Sequence, residues 1–401
     1  MTEEEDFVRS ILESNDDDDR LVYADWLQQR GDPRGELISV QCRLPSAIGE
    51  ERRLLEVREA ELLVAHERTW LGAWHGFADR WEMRRGFLEA LTISEVAFVE
   101  HGTELLAANP LPLELLHLRA LGLLWRGSDD RMSAVAAITA HTHLEQLRID
   151  HSLGPEAARL LARSPAFTRL TALHLINTGI GDGAVGELVA SEYLGRIETL
   201  ELSTAHVTDG GVVALAASPR FSRLRALNLS STDSYDPWAN TIGNDGAIAL
   251  VTSPHRRTLA SLDLGESTAI GDELAMALAV AQLPDLVELG LRSTSITDAG
   301  AHALSRLPGL ETVNVGHTWV GDAGALLLAS MPRIRCLGLS DTRMTVDGIR
   351  RLIEVASPTL RVLELRFYEN DLPDDLEAAL RARFDVVQRD QSSRRVREVE
   401  P

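Results

Sequence analysis

One short apolar phrase, Leu-x-x-Leu-x-Leu, constrains the fold of this chain more than any other feature. Eleven copies, two of which begin with Ile, start at Leu88, Leu113, Leu144, Leu170, Ile197, Leu224, Leu259, Leu286, Leu310, Ile334 and Leu360. Most copies follow the previous one after 24 to 27 residues. A unit of this length holds one strand and one helix, and neither can bury its apolar face alone. The sequence therefore predicts a solenoid in which neighbouring repeats share a continuous core.

Alternation within the phrase predicts which side chains face that core. In the copy that starts at Leu170, we expect Leu173 and Leu175 to point inward, with Ala172, His174 and Ile176 on the opposite, concave face of a parallel sheet. The same register gives the candidate partner contacts on this face: His117, Arg119, Arg148, His174, Glu201, Asp263 and Arg292. Gly265, Gly290, Gly316 and Gly338 predict a shallow floor beside them. The alternative interpretation is a solvated polar surface.

The residues that follow each strand predict how the helix begins. An acidic residue recurs there, and we expect each one to be an N-cap that accepts backbone N–H groups. The set is Asp182, Asp209, Asp245, Asp272, Asp298, Asp322 and Asp347. A second set shares the eighth position after the phrase begins, where a hydroxyl can bond to backbone groups of the turn. It contains Thr178, Thr232, Thr294, Thr318 and Thr342.

These threonines, together with Thr/Gly-Asp-x-Gly before helices rich in Ala and Leu, resemble ribonuclease-inhibitor-like leucine-rich repeats. The resemblance covers about residues 86–366. It implies an α/β fold, a leucine-rich-repeat solenoid or horseshoe with a parallel concave sheet and convex helices. By analogy it also implies protein binding on the concave face.

Residues 1–85 have a helical pattern and are expected to form a separate N-terminal cap domain. The segments Asp19–Leu27 and Arg30–Ile38, with the later Trp81-x-x-Arg84-Arg85-Gly86-Phe87, resemble the bacterial repeat-companion domain. That family is defined by its place ahead of leucine-rich repeats and implies no chemistry for particular residues. An open solenoid end exposes an apolar cross-section, so a helical cap is the expected role. Its aromatic residues are interpreted as core, with a ligand cage as the alternative: Tyr23, Trp26, Trp70, Trp74 and Trp81.

The other end of the array is expected to be capped as well. Leu372 to Phe384 predicts a last amphipathic helix, and the residues from Phe384 to Val387 predict a short strand. We assign residues 367–389 to this C-terminal cap. Residues 390–401 are charged, lack apolar periodicity and are expected to be disordered.

Two repeats depart from the period, and such insertions often add binding surface. The repeat that starts at Leu113 has 31 residues and the one that starts at Leu224 has 35. Both insertions follow the strand, so both are expected on the same rim. Aromatic residues there are predicted partner contacts: Trp125, Tyr235, Trp238 and Trp319. The alternative is that each ring lies flat over a neighbouring repeat and covers the core.

Charge and motif content narrow the function. A net charge of −21 disfavours nucleic acid and anionic membranes as partners. The two cysteines, Cys42 and Cys336, give no disulfide framework, and neither a secretory signal nor a membrane span is seen, so we expect a soluble cytoplasmic protein. No phosphate-binding loop, nucleophile elbow or paired-His metal motif occurs, so no cofactor is expected.

The sequence thus predicts a non-enzymatic scaffold for protein–protein interaction that recognises a protein partner through the concave face and an aromatic rim. The alternative is a recognition or regulatory subunit of a larger bacterial signalling, defence or enzymatic assembly, whose chemistry lies in another chain. An enzyme with an unrecognised site is the third class.

Overall fold

The computed structural model describes residues 3–14, 16–94, 97–98, 100–102, 115–119, 144–150, 153–232, 236–281, 283–366 and 373–387. The chain divides into two compact units. The first contains Met1–His151 and Arg163–Ala172, and the second contains Ser152–Ala162 and Leu173–Pro401. Each unit is considered by itself.

The first unit begins with four helices, in the segment where the sequence has a helical pattern. They are α1 (Glu3–Ser14), α2 (Asp17–Gln29), α3 (Arg34–Arg43) and α4 (Gly49–Leu71). Asp16 caps α2 by accepting the N–H of Asp18 at 3.2 Å, and Gly31 leaves that helix with a φ of 74°. Tyr23 is buried and stacks on Phe87 at a centroid distance of 5.9 Å. Trp74 is buried as well, and Trp26, Trp70 and Trp81 are partly buried against the core, so the aromatic residues interpreted as core contribute to it.

A β-hairpin follows the helices and was not foreseen from the sequence. Strands β1 (Ala78–Arg84) and β2 (Phe87–Ser94) are antiparallel and are joined by Arg85 and Gly86, both with positive φ. A two-residue turn of this kind matches the twist of a hairpin. Gln41 fastens the hairpin to α3, because its side chain donates to the Met83 carbonyl and accepts the Gly86 N–H, each at 2.7 Å.

Strand β2 also starts the parallel part of the sheet in the first unit. It pairs with β3 (Leu115–Arg119), which pairs with β4 (Gln146–Asp150). β3 and β4 begin two residues after the start of their apolar phrases, and β2 contains its whole phrase, so the register that the phrase predicts is confirmed.

The second unit is one layer of short parallel strands and one layer of helices. The strands are β5 (Ala172–Ile176), β6 (Thr199–Glu201), β7 (Ala226–Asn228), β8 (Ser261–Asp263), β9 (Glu288–Gly290), β10 (Thr312–Asn314), β11 (Cys336–Gly338), β12 (Val362–Glu364) and β13 (Asp385–Val387). The helices are α5 (Gly154–Ala162), α6 (Gly181–Ala190), α7 (Asp209–Ala217), α8 (Asn244–Val251), α9 (Asp272–Val280), α10 (Asp298–Leu304), α11 (Asp322–Ala329), α12 (Val346–Val355) and α13 (Asp374–Arg383).

This unit confirms the predicted α/β repeat solenoid. From β6 to β13 each strand pairs in parallel with the next in sequence order, and helices of successive repeats pack on each other. Leu173 and Leu175 are buried as predicted, while His174 and Ile176 are half-buried on the other face. Ala172 is buried too, although alternation alone places it on the open side. At the C-terminal end, α13 buries Leu376 and Leu380, and β13 pairs with β12, as the sequence predicts.

The prediction that the recurring aspartates are N-caps is wrong. Each of them is the first or second residue of its helix, and the cap is the residue before the helix, most often Thr or Gly. Thr208, Thr297 and Thr345 cap with their own hydroxyl, which accepts an N–H two or three residues ahead. The aspartate side chains are thereby released for a different contact.

That contact joins each repeat to the next one. A side chain at the start of one helix accepts the backbone N–H of the residue that caps the following helix, at 2.7 to 3.0 Å. The acceptors are Asp182, Asp209, Asn244, Asp272, Asp298 and Asp322, and the donors are Thr208, Gly243, Gly271, Thr297, Gly321 and Thr345. We call this series of contacts between successive repeats the ladder. Because these N–H groups lie at helix starts, the ladder satisfies donors that have no partner within their helix.

The ladder also explains the glycine that follows most of these aspartates after one or two positions. A Cβ on Gly211 would lie 2.6 Å from Asp182 Oδ1, and a Cβ on Gly324 would lie 2.6 Å from Asp298 Oδ1. The Asp and the Gly of the Asp-x-Gly pattern therefore recur for the same reason, since the carboxylate of one repeat occupies the space that the glycine leaves in the next.

The threonine prediction is confirmed at four positions. Thr178, Thr294, Thr318 and Thr342 donate their hydroxyls to the carbonyl three residues earlier, at 2.6 to 3.1 Å. Each bond stays within one repeat. Thr232, which precedes the long insertion, instead contacts Thr204 of the preceding repeat.

Candidate functional site

The candidate surface lies on the face of the second unit's sheet that is opposite its helices. We call it the open face; it is the face predicted to be concave. Its centre is a row of polar side chains from β5 to β8, and we call His174, Glu201, Asn228 and Asp263 the polar row. Each of these residues is the fourth after the start of its phrase, so they lie side by side on adjacent strands.

Glu201 connects the first three members of the polar row. Its Oε2 is 3.5 Å from His174 Nδ1, and both side chains are 21% exposed. Its Oε1 accepts the Ser203 hydroxyl at 2.9 Å and the Asn228 amide at 2.7 Å. The predicted residues His174 and Glu201 are therefore brought together, in a network that holds the glutamate carboxylate in one orientation.

Asp263 ends the polar row and is held differently. Its Oδ1 accepts the Gly265 N–H at 2.9 Å, and its carboxylate lies over Gly290, where a Cβ would be 2.6 Å from Asp263 Cγ. Burial raises the pKa of the Asp263 carboxyl, and the nearby charges of Glu201 and Glu266 act in the same direction. The Gly265 N–H and Arg292 oppose that rise.

The expected glycine floor is partly covered by these polar residues. Asn314 repeats the geometry of Asp263, because its Oδ1 accepts the Gly316 N–H at 3.0 Å and a Cβ on Gly338 would lie 2.6 Å from its Cγ. Gly290 and Gly338 thus make room for a side chain of the preceding strand. Alternation along one strand could not reveal this contact, which joins residues of two repeats.

A second group of charges follows the strands β8 to β11, in the turns at their carboxyl ends. We call Glu266, Arg292, His317 and Asp341 the charged edge. Arg292 Nε is 3.3 Å from Glu266 Oε1, and His317 Nε2 is 3.1 Å from Asp341 Oδ2. Burial lowers the pKa of His317, and the positive charges of Arg292 and Arg366 lower it further, while Asp341 and Glu266 oppose the change.

Only Arg292 of the charged edge was predicted as a contact. The other three residues lie beyond the strand at the seventh position after the phrase begins, with φ between 54° and 65°. Reading the repeat register past the strand into the turn would have found them, since Glu266, His317 and Asp341 occupy one column.

Trp319 is the exposed aromatic of this edge. Its side chain is 51% exposed, and the guanidinium carbon of Arg343 lies 3.8 Å from its ring centroid. Trp319 and Arg343 occupy the same place in successive repeats, as His317 and Asp341 do. The predicted rim position of Trp319 therefore places an accessible ring beside the charged edge.

Trp238 has the geometry of the alternative in which the ring lies over a neighbouring repeat and covers the core. It is half-buried, and its ring lies against Gly179, where a Cβ would be 3.2 Å from Trp238 Nε1. Its carbonyl accepts the His206 N–H at 2.8 Å. The ring therefore covers backbone of an earlier repeat.

Asn240 holds that end of the insertion in place. It is 3% exposed, accepts the N–H groups of Ala205 and Val207, and donates to the carbonyls of Leu202 and Leu229, all at 2.8 to 3.0 Å. The part of this insertion that the structure describes from residue 236 onward thus lies along the preceding repeat. No periodic signal marks this asparagine in the sequence.

The remaining predicted contacts are distributed as follows. Arg148, in the first unit, is paired with Asp150 at 3.0 Å. His117 and Arg119 lie in β3, but their side chains are outside the described residues, as are Trp125 and Tyr235.

The charged side chains of the described residues do not gather into a metal site. Within them, no group of three or more His, Cys, Asp or Glu side chains is placed to hold a metal ion. No helix in this part of the chain has both the length and the apolar character needed to cross a bilayer. The charged groups are instead arranged in cross-repeat pairs on the sheet side of the second unit.

The order of strands and helices defines the class of this protein as an α/β repeat solenoid. No protein-family model matches the sequence, and a search of curated proteins gives no match. Solved structures do resemble it. One is Rad7 in the yeast Rad7–Elc1 complex, with 18% identity over 75% of this chain and 81% of that chain and a TM-score of 0.49. Another is an internalin, inlF, of Listeria monocytogenes, with 17% identity over 74% of this chain and 86% of that one and a TM-score of 0.39.

Proposed function

We propose that this protein is a non-enzymatic, cytoplasmic interaction scaffold that binds a protein partner on the open face of its second unit. The observation that carries the proposal is the polar row, in which Glu201 is held by Ser203 and Asn228 at 2.9 and 2.7 Å. A preorganised polar surface loses little conformational entropy on binding and favours one complementary partner.

The exposed ring of Trp319 supports the same proposal. Tryptophan is enriched among residues that dominate binding energy, because it buries a large area with few rotatable bonds. Trp319 lies next to the charged edge and is half exposed. In this proposal Trp319 is the main aromatic contact, Trp125 and Tyr235 are further candidates, and Trp238 acts mainly by covering the solenoid.

The N-terminal helical domain belongs to the proposal as a cap, and its sequence motif is the ground for proposing kinship with the repeat-companion domain. Its buried aromatic residues and the hairpin fastened by Gln41 suit a structural role. No residue of it is assigned to partner binding.

The test is a steric block on the open face. Thr312 lies on β10 and points to the open face, whereas Val280 at the end of α9 is 81% exposed on the helix side. We expect affinity purification from the source cell to recover protein partners with wild type and with V280W, but not with T312W. Recovery that is equal for both variants would reject the open face as the binding site.

The partner's identity then separates the two non-enzymatic readings. An enzyme or signalling chain in a fixed ratio would make this protein a recognition or regulatory subunit. A set of several structural or client proteins would make it a general scaffold.

A further inference from the structure

We propose that Asp263 is the recognition carboxylate of the open face and receives a lysine or arginine side chain of the protein partner. This inference rests on the proposed function, because it names the chemistry that the open face selects.

The repeats themselves show that the fold does not require a charge at this position. Asn228, Asp263 and Asn314 occupy one column, and in each case Oδ1 accepts the N–H two residues ahead, at 2.9 to 3.0 Å. Two neutral amides thus make the backbone contact that Asp263 makes with a carboxylate. The negative charge at residue 263 is an addition to that contact.

The second carboxylate oxygen is the group available to a partner. Among the described residues, the hydrogen bonds of Asp263 reach Oδ1 alone, and Oδ2 receives none. In front of it lies Gly290, which adds no side chain to the surface. A carboxylate can accept several donors, so an incoming ammonium or guanidinium group would find an unused acceptor here.

The surrounding charges favour a cation. Glu201 and Glu266 both act on Asp263 as like charges, and Arg292, the cation nearby, is engaged by Glu266 at 3.3 Å. Keeping a half-buried carboxylate ionised beside acidic neighbours costs free energy, and an opposite charge offsets that cost. The net charge of −21 adds long-range attraction for a basic partner.

A basic side chain fits this place better than a metal ion. The described residues contain no group of three or more metal-ligating side chains, and Glu201 Oε1 is already occupied by two donors. A carboxylate oxygen that has no hydrogen bond among the described residues can bind one ammonium or one guanidinium group by charge-assisted hydrogen bonds.

The experiment selects short random peptides displayed on phage with the full chain and then measures their affinity for D263N. The matched control is D285N, which removes the same charge at an exposed residue in the turn before β9. We expect the selected peptides to be enriched in Lys and Arg and to bind D263N at least about tenfold more weakly, with D285N within about twofold of wild type.

A stability measurement separates recognition from a structural role. Since Asn makes the same contact at residues 228 and 314, D263N should unfold at the wild-type temperature or above it. A clear decrease would show that the fold needs the carboxylate and would overturn the inference.

The outcomes also distinguish the two proposals. Peptides that T312W blocks but that lack basic residues, or that bind D263N as tightly as wild type, would overturn the role of Asp263 and leave the open face as the binding site. Peptides whose binding is indifferent to T312W would overturn both.

Discussion

The carboxylate of Asp272 holds the start of the next helix through Thr297. Asp272 Oδ1 accepts the Thr297 N–H at 2.8 Å, and Oδ2 accepts the Thr297 hydroxyl at 2.6 Å. The same hydroxyl accepts the Ala299 N–H at 3.1 Å and so caps α10. One aspartate therefore orients the residue that begins the helix of the following repeat, and stacking and helix initiation are coupled at this point.

Removal of that carboxylate should destabilise the solenoid. In D272A the Thr297 N–H and hydroxyl lose their acceptor, and we expect a loss of roughly 2–4 kcal/mol in the free energy of unfolding, measured by urea denaturation. Asp245 is the matched control, because Asn244 makes the ladder contact in its repeat. D245A should cost no more than about 1 kcal/mol, which is the scale of a helix-dipole effect. Equal losses for both variants would contradict the ladder.

A methyl group on a ladder glycine should destabilise the protein as well. A Cβ on Gly324 would lie 2.6 Å from Asp298 Oδ1 and 2.7 Å from Ala301 Cβ, so G324A should cost about 1–3 kcal/mol. Gly186 lies within α6, and a Cβ there would meet nothing within 4 Å. G186A should therefore stabilise the protein by about 0.5–1 kcal/mol, since Ala is the better helix former. Thermal unfolding of the two variants checks the opposite signs.

The buried guanidinium of Arg256 should be essential to stability. Arg256 is fully buried and donates to the carbonyls of Leu215, Ser218, Phe221 and His255. Burial lowers its pKa to about 10. R256M removes every one of these donors, so we expect a loss of about 3 kcal/mol or more in unfolding free energy.

The neighbouring arginine gives the control for this prediction. Arg257 is exposed, and R257M should change the unfolding free energy by no more than about 0.5 kcal/mol. A similar response of the two variants in urea would mean that the carbonyl contacts of Arg256 contribute little.

His317 should make stability fall on mild acidification. Its pKa in the folded state lies below the ordinary histidine value of 6.5, because burial and the charges of Arg292 and Arg366 disfavour the imidazolium. The unfolded chain then binds more protons just below pH 6.5, so stability decreases as the pH falls through this window. Asn tolerates the positive φ of 56° at this position, so H317N keeps the turn. The variant should lose less stability than wild type between neutral pH and about pH 5, and an unchanged loss in urea titrations would exclude this histidine as the cause.

Much of the fold could be predicted from the apolar phrase. Side chains alternate between the two faces of a strand, so the spacing of the buried leucines fixes the register when one face is buried. The strands after Leu170, Leu310 and Leu360, for example, begin two residues into their phrases. The candidate site was predicted only in part. The positions of Glu201 and Asp263 on the open face follow from alternation, but His317 and Asp341 lie in turns where no alternation applies. The role of Asn240 depends solely on the backbone groups that surround it in the folded chain.

The sequence by itself determined the repeat, the buried leucines and the alternation of strand and helix within the repeats, since each depends on spacing along the chain and on burial of one face. The tertiary structure alone decided which contacts the polar residues make between repeats. The aspartates at the helix starts, Asp263 and Trp238 make their defining contacts with another repeat, some two dozen or more residues away. Periodicity records which side chains share a face, whereas hydrogen bonds and close approaches between repeats depend on distances that exist only once the repeats are stacked.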